Sequence, residues 1–233
     1  MTTHQFVVRE AARETPRAAL LRLDASAARF SFTAGQAALV GLAGRAARKP
    51  YSIASSPGES RRSGLLSFLV EVGPDGQARP NLDGVRAGSL VAVDGPVGRF
   101  VLPRRLPPEL LFVAGGTGIA PLRAMIASAL ERSEPPRITL VYSARTPAEL
   151  AFAREWRRLS RRGRVRFCAT ATREADSSWR GRRGRIQQAW IDAFVRRRDP
   201  LCFVCGPEPF VARLAEMLRA AGVPERRIRR ERY

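Results

Sequence analysis

One segment constrains the fold of this chain more than any other. The apolar run Leu110-Leu111-Phe112-Val113-Ala114 leads directly into Gly115-Gly116-Thr117-Gly118-Ile119-Ala120-Pro121. It reads as a buried parallel strand, a turn almost free of side chains, and a helix start. Pro121 falls in the first helical turn, where its missing N–H does no harm. Such a strand–turn–helix lets the phosphates of a dinucleotide approach backbone N–H groups at the positive end of a helix. The string is neither G-x-G-x-x-G nor the P-loop G-x-x-x-x-G-K, so it is not an instance of either motif.

The rhythm of the chain differs on the two sides of residue 103. Before it, Gln5–Arg9, Ala18–Asp24, Ala37–Leu42, Tyr51–Ser55, Leu65–Val72 and Ser89–Asp94 are short apolar or alternating runs, separated by Gly, Pro and charged residues. Six such strands with no long helix predict a small antiparallel barrel. After it, apolar strands (110–114, 138–143, 165–171, 201–205) alternate with helical patterns (119–131, 147–158, 186–197, 209–221), and 226–233 reads as a last strand. This βαβα alternation predicts a parallel sheet. The expected architecture is two domains: an antiparallel six-stranded β-barrel at 1–103, then an α/β doubly wound domain with a parallel five-stranded sheet at 104–233. The Pro/Arg-rich stretch Pro103–Pro108 is the expected linker.

A length of 233 residues allows two small domains with real cores. No stretch approaches the roughly 20 apolar residues of a membrane helix. The start, Met1-Thr2-Thr3-His4-Gln5-Phe6, lacks the features of a secretory signal. The expected setting is cytoplasmic, without a membrane partner. The formal charge is +20, carried almost wholly by arginine, and Lys49 is the single lysine. Residues 1–103 hold thirteen basic and eight acidic side chains, whereas 104–233 hold twenty-eight and thirteen. The excess in the second half suits an acidic partner or a polyphosphate cofactor. No recognition motif and few aromatics among the arginines argue against nucleic acid. Cys202 and Cys205 have C-x-x-C spacing within a strand-like run. Residues i and i+3 of a strand face opposite ways, so neither a shared metal nor a disulfide is expected.

Five short motifs occur in a fixed order: Lys49-Pro50-Tyr51-Ser52, Gly95-Pro96-Val97-Gly98-Arg99-Phe100, Gly115 through Pro121, Cys205-Gly206-Pro207 and Glu231-Arg232-Tyr233. With them the chain resembles the ferredoxin–NADP reductase family over essentially its full length. The resemblance implies an FAD-binding barrel and an NAD(P)-binding second domain. It also implies hydride transfer between nicotinamide C4 and flavin N5, then delivery of electrons to a separate acceptor. A basic surface suits an acidic carrier such as ferredoxin or flavodoxin. The alternatives are the reductase component of a multicomponent oxygenase, and a flavin-less basic scaffold or regulatory subunit.

The same resemblance assigns residues. Tyr51, Ser52 and Ile53 would lie against the flavin, with the Ser52 hydroxyl beside N5. Lys49 and Pro50 stand where the family carries its pyrophosphate arginine, and lysine keeps the charge but loses the two-pronged fork. Gly76-Gln77-Ala78-Arg79 matches a second pyrophosphate turn, with Arg79 in place of the usual hydroxyl and available to supply that fork. Gly115, Gly116, Thr117, Gly118 and Pro121 would meet the nucleotide, as would Arg145, Cys205, Gly206 and Pro207. Thr172 and Arg173 match a Ser/Thr-Arg pair that holds a 2′-phosphate, which favours NADPH over NADH; Glu174 follows directly. Cys205, Glu231 and Tyr233 complete the expected active site with Ser52, Tyr233 stacking on the flavin until nicotinamide displaces it.

Overall fold

The computed structural model describes residues 3–28, 30–73, 78–79, 81–173, 178–196 and 199–233. By its internal contacts the chain forms two compact units. One comprises Met1–Leu102 with Arg123–Glu131; the other comprises Pro103–Leu122 with Arg132–Tyr233.

The first unit is an antiparallel barrel. Its strands are β1 (Thr3–Thr15), β2 (Ala18–Asp24), β3 (Ala37–Leu42), β4 (Lys49–Ser52), β5 (Leu65–Val72), the two-residue β6 (Ala78–Arg79) and β7 (Leu90–Val97). The order is β4-β3-β7-β1-β2-β5-β6. The sheet closes on itself where Ile53, just past β4, bridges to Phe68 of β5. Closure removes the long free edges that an open sheet would expose. Alternation puts Phe6, Val8, Leu21, Leu23, Val40, Phe68, Val91 and Val93 into one core. The six expected strands are all present, and β6 adds a short edge beside β5.

A short helix was not expected in this half. α1 (Pro57–Ser63) starts at a capping box, in which Ser56 and Glu59 satisfy each other's backbone N–H, and stops at Gly64. Its polar sequence, with Gly58 its one buried residue, gives no apolar stripe.

The second unit is a parallel α/β sheet: β8 (Glu109–Gly115), α2 (Ile119–Leu130), β9 (Arg137–Ala144), α3 (Ala153–Arg161), β10 (Arg166–Ala171), β11 (Arg182–Arg183), α4 (Gln188–Val195), β12 (Leu201–Gly206), α5 (Glu208–Ala220) and β13 (Ile228–Arg232). Residues of α2 from Arg123 onward belong to the first unit. The strand order is β11-β10-β9-β8-β12-β13, every pair parallel. These are the five expected strands in doubly wound order, joined by the two-residue β11. β8 is buried at every position, as a central parallel strand requires. α3 begins later than the expected 147: Pro147–Glu149 make a single 3-10 turn, and Phe152 takes a left-handed φ of 57° that separates it from the helix. α4 falls inside the expected 186–197, whose end at Arg197 lies outside the described residues. Among the described residues no helix is long and apolar enough to cross a membrane.

Candidate active site

The parallel sheet reverses its winding between β8 and β12, whose neighbouring carboxyl ends carry Gly115 and Gly206. Open α/β sheets bind ligands outside the strands at such a switch point, and here glycines let the neighbouring elements pack closely. A Cβ on Gly118 would lie 2.4 Å from the carbonyl oxygen of Cys205; on Gly206, it would lie 2.9 Å from the Phe210 ring and 3.2 Å from Gly115 Cα. Gly116 has a φ of +56°, which favours glycine. One 3-10 turn, Gly116–Gly118, carries β8 into α2. α5 starts directly after Pro207. Each helix start leaves N–H groups free of intrahelical partners at the positive end of its dipole. Pro121 is buried, and Thr117 is half-buried in the turn.

Two tyrosine hydroxyls grip this turn. Tyr233, 58% exposed, donates to the Gly115 carbonyl at 2.9 Å and accepts the Gly118 N–H at 3.3 Å. Tyr142, fully buried on β9, donates to the Gly116 carbonyl at 2.9 Å and accepts the Ala151 N–H at 3.2 Å. The sequence placed Tyr233 at the site by its terminal motif; nothing local marked Tyr142, whose partners are nine and twenty-six residues away.

Cys205 ends β12 and lies in register beside Glu231 of β13. Burial first, and then the Glu231 carboxylate, push its thiol well above the ordinary range. Burial likewise pushes Cys202 up to about 12. Both are neutral thiols, suited to packing rather than nucleophilic attack.

A cavity of about 260 Å³ opens at the carboxyl ends of β9 and β10, lined among others by Ser143, Thr172, Arg185, Phe210 and Arg213. Thr172 was an expected contact. Arg145 and Arg173 are exposed on the adjoining turns and are tied by a hydrogen bond from the Arg173 N–H to the Arg145 carbonyl. Glu174 lies outside the described residues. Arg185, Phe210 and Arg213 were not singled out from sequence as ligand contacts. Phe210 falls within the helical pattern expected at 209–221, and its ring fills the space over Gly115 and Gly206.

In the barrel, Tyr51 is 8% exposed, Ser52 half-buried, and Ile53 fully buried in the core. Burial, then Asp83 and Glu71, push the Tyr51 phenol above its usual range, so it stays protonated and able to donate. Lys49 and Pro50 are exposed at the start of β4. The neighbouring Arg48 is engaged with Asp94 at 3.2 Å, and no ion pair of Lys49 is found among the described residues. Arg123 donates to the Ala54 carbonyl at 2.8 Å and pairs with both oxygens of Glu59 at 3.0 Å, fixing the segment that follows Ile53. Ala78 is buried. Gly76, Gln77 and Pro80 lie outside the described residues, as does the side chain of Arg79. The donor set fits a flavin dinucleotide: a neutral phenol, a half-buried hydroxyl and an exposed cation. The glycine crevice fits a nicotinamide dinucleotide.

Comparison with known proteins agrees. Residues 6–102 match the family model of the oxidoreductase FAD-binding domain, and residues 112–216 match that of the oxidoreductase NAD-binding domain. The protein is thus a flavin- and nicotinamide-dependent oxidoreductase that passes electrons to a partner. It is 32% identical over 215 residues to ferredoxin–NADP reductase B of Sorangium cellulosum, covering 88% of this chain and 86% of that one. It is 29% identical to an NADPH oxidoreductase of Mycobacterium tuberculosis, matching 84% of this chain but spanning only 51% of the relative. The Amycolatopsis cytochrome P450 reductase GcoB superimposes with a TM-score of 0.82 at 26% identity, over 99% of this chain and 70% of that one. The chain belongs to the ferredoxin–NADP reductase-like family.

Proposed function

We propose that the protein draws hydride from NADPH and serves a separate acidic electron carrier, ferredoxin or flavodoxin, in a cytoplasmic setting. The observation that carries this reading is the glycine turn Gly115–Gly118 at the carboxyl ends of β8 and β12, beside the starts of α2 and α5. Bound FAD supplies the step from a two-electron donor to a one-electron acceptor. The chain supplies binding and orientation. In this reading Lys49, assisted by Gly76, Gln77, Ala78 and Arg79, neutralises the flavin pyrophosphate; Pro50, Tyr51 and Ile53 shape the flavin seat; and Ser52 offers its hydroxyl to N5. Gly115, Gly116, Thr117, Gly118, Pro121, Gly206 and Pro207 receive the nicotinamide nucleotide, with the small neutral thiol of Cys205 and the carboxylate of Glu231 beside it. Arg145, Thr172 and Arg173, together with Arg185 and Arg213 around the cavity, favour the extra phosphate of NADPH. Tyr233, held on the glycine turn, is the aromatic that yields to nicotinamide in this reading.

The net charge of +20 supports an acidic carrier, whose encounter it would accelerate at low salt. A second reading is favoured by several relatives, among them an aromatic O-demethylase reductase subunit 29% identical over 242 residues. In it the acceptor is an oxygenase component. One experiment tests both. Purified protein should be yellow and should bleach anaerobically faster with NADPH than with NADH. Ferredoxin, flavodoxin and a P450 are then offered in turn, and the fastest reoxidation identifies the acceptor class. Protein that retains no flavin ends the redox reading.

A further inference from the structure

We infer that Tyr142 is a positioning residue for nucleotide binding: its buried hydroxyl sets the glycine turn in its receiving conformation. The inference rests on the assignment of that turn to the nucleotide.

The turn has little to hold it. Gly115, Gly116 and Gly118 leave the backbone the widest conformational choice of any residue type. A floppy receiver lowers affinity in proportion to the fraction of molecules that are correctly formed. Tyr142 opposes this from the rigid side. It stands on β9, a central strand hydrogen-bonded to β8 and β10, and its residue is wholly buried. Its hydroxyl makes one bond as donor, to the Gly116 carbonyl, and one as acceptor, from the Ala151 N–H. The Gly116 carbonyl belongs to the peptide that joins Gly116 to Thr117. Fixing its direction fixes the Thr117 N–H on the same peptide plane, since the plane rotates as a unit. The anchor is itself braced: the Trp156 indole N–H donates to the Ala151 carbonyl at 3.0 Å, and Trp156 is wholly buried. A line of bonds, buried at Ala151 and partly buried at Gly116, thus runs from α3 through Ala151 and Tyr142 to Gly116. Phenylalanine would fill the same volume in the core, so the hydroxyl is there for these two bonds. Tyr233 holds the Gly115 carbonyl and Gly118 N–H, but from an exposed side chain.

The test is Tyr142→Phe in the FAD-loaded full chain, with NADP⁺ titrated by flavin difference absorbance. The dissociation constant should rise about tenfold, or about 1.4 kcal/mol, with the flavin spectrum unchanged. Ile228→Val, a core trim in the same unit, is the control for lost stability alone and should leave NADP⁺ affinity as it was. Replacing Tyr142 by para-aminophenylalanine, which restores a donor at the same place, should recover most of the affinity. If Tyr142→Phe does not fold, Trp156→Phe, which removes the brace and trims the buried core around it, should weaken NADP⁺ about threefold by loosening the same turn, beyond any change seen in Ile228→Val. Unchanged affinity in the phenylalanine variant, an equal loss in Ile228→Val, or no recovery with the amino analogue would overturn the inference. Wild-type protein that binds no NADP⁺ would instead refute the assignment of the turn.

Discussion

The two units recognise by opposite means. At the start of β4 the candidate contacts are side chains: the Lys49 cation, the Tyr51 phenol and the Ser52 hydroxyl. At the end of β8 they are backbone groups of Gly115, Gly116 and Gly118, of which Gly115 and Gly118 are buried. The difference teaches where each site can drift. A side-chain site can exchange one donor for another, the change proposed at Lys49, where lysine stands for the arginine of the resembled family. A glycine site tolerates no addition, because the neighbouring atoms already fill the space: the Cys205 backbone at Gly118 and the Phe210 ring at Gly115.

The largest expected effect tests that asymmetry directly. Gly118→Ala would drive a methyl against the Cys205 carbonyl, 2.4 Å away. Relief requires the turn to move, so NADP⁺ affinity should fall about 100-fold from roughly 3 kcal/mol of overpacking. FAD absorbance should persist; joint loss of both cofactors would show that the two sites are not chemically separable. A smaller effect is expected at the cavity. Arg173→Ala and Arg213→Ala should each lower kcat/KM for NADPH about tenfold while changing that for NADH less than about twofold, the loss of one charge-assisted hydrogen bond. Steady-state kinetics with both coenzymes decides it, and equal losses would remove the arginine from phosphate recognition. The smallest is at β4. Lys49→Arg restores the fork and should tighten FAD about threefold, measured by quenching of FAD fluorescence. A weaker complex would mean that lysine belongs to a local geometry unlike the family's.

The elements were legible where periodicity is local. β2, β3 and β5 have the limits that alternation and their flanking turns suggest, and the glycine string announced the crevice. α1 was legible in principle, since its capping chemistry is visible as Ser56, Pro57 and Glu59, but its seven residues carry no periodic apolar stripe. The unread part of the site is non-local. Arg213 is one of many arginines until the fold sets it beside Thr172, and Tyr142 looks like any strand aromatic until Gly116 and Ala151 close around its hydroxyl. The basic composition also masked selectivity, because a chain so rich in arginine offers many candidates for one phosphate.

The second half of α2 has a practical consequence for anyone who would dissect this enzyme. Glu131 receives the Ser56 hydroxyl and Arg62, while Arg123 holds Glu59 and the Ala54 carbonyl, all within the unit that otherwise ends at Leu102. A gene fragment cut at the Pro/Arg linker would strip the barrel of these partners and strand the buried Ser56 hydroxyl without its carboxylate. Chimaeras that swap flavin modules should therefore graft residues 123–131 along with the amino-terminal hundred.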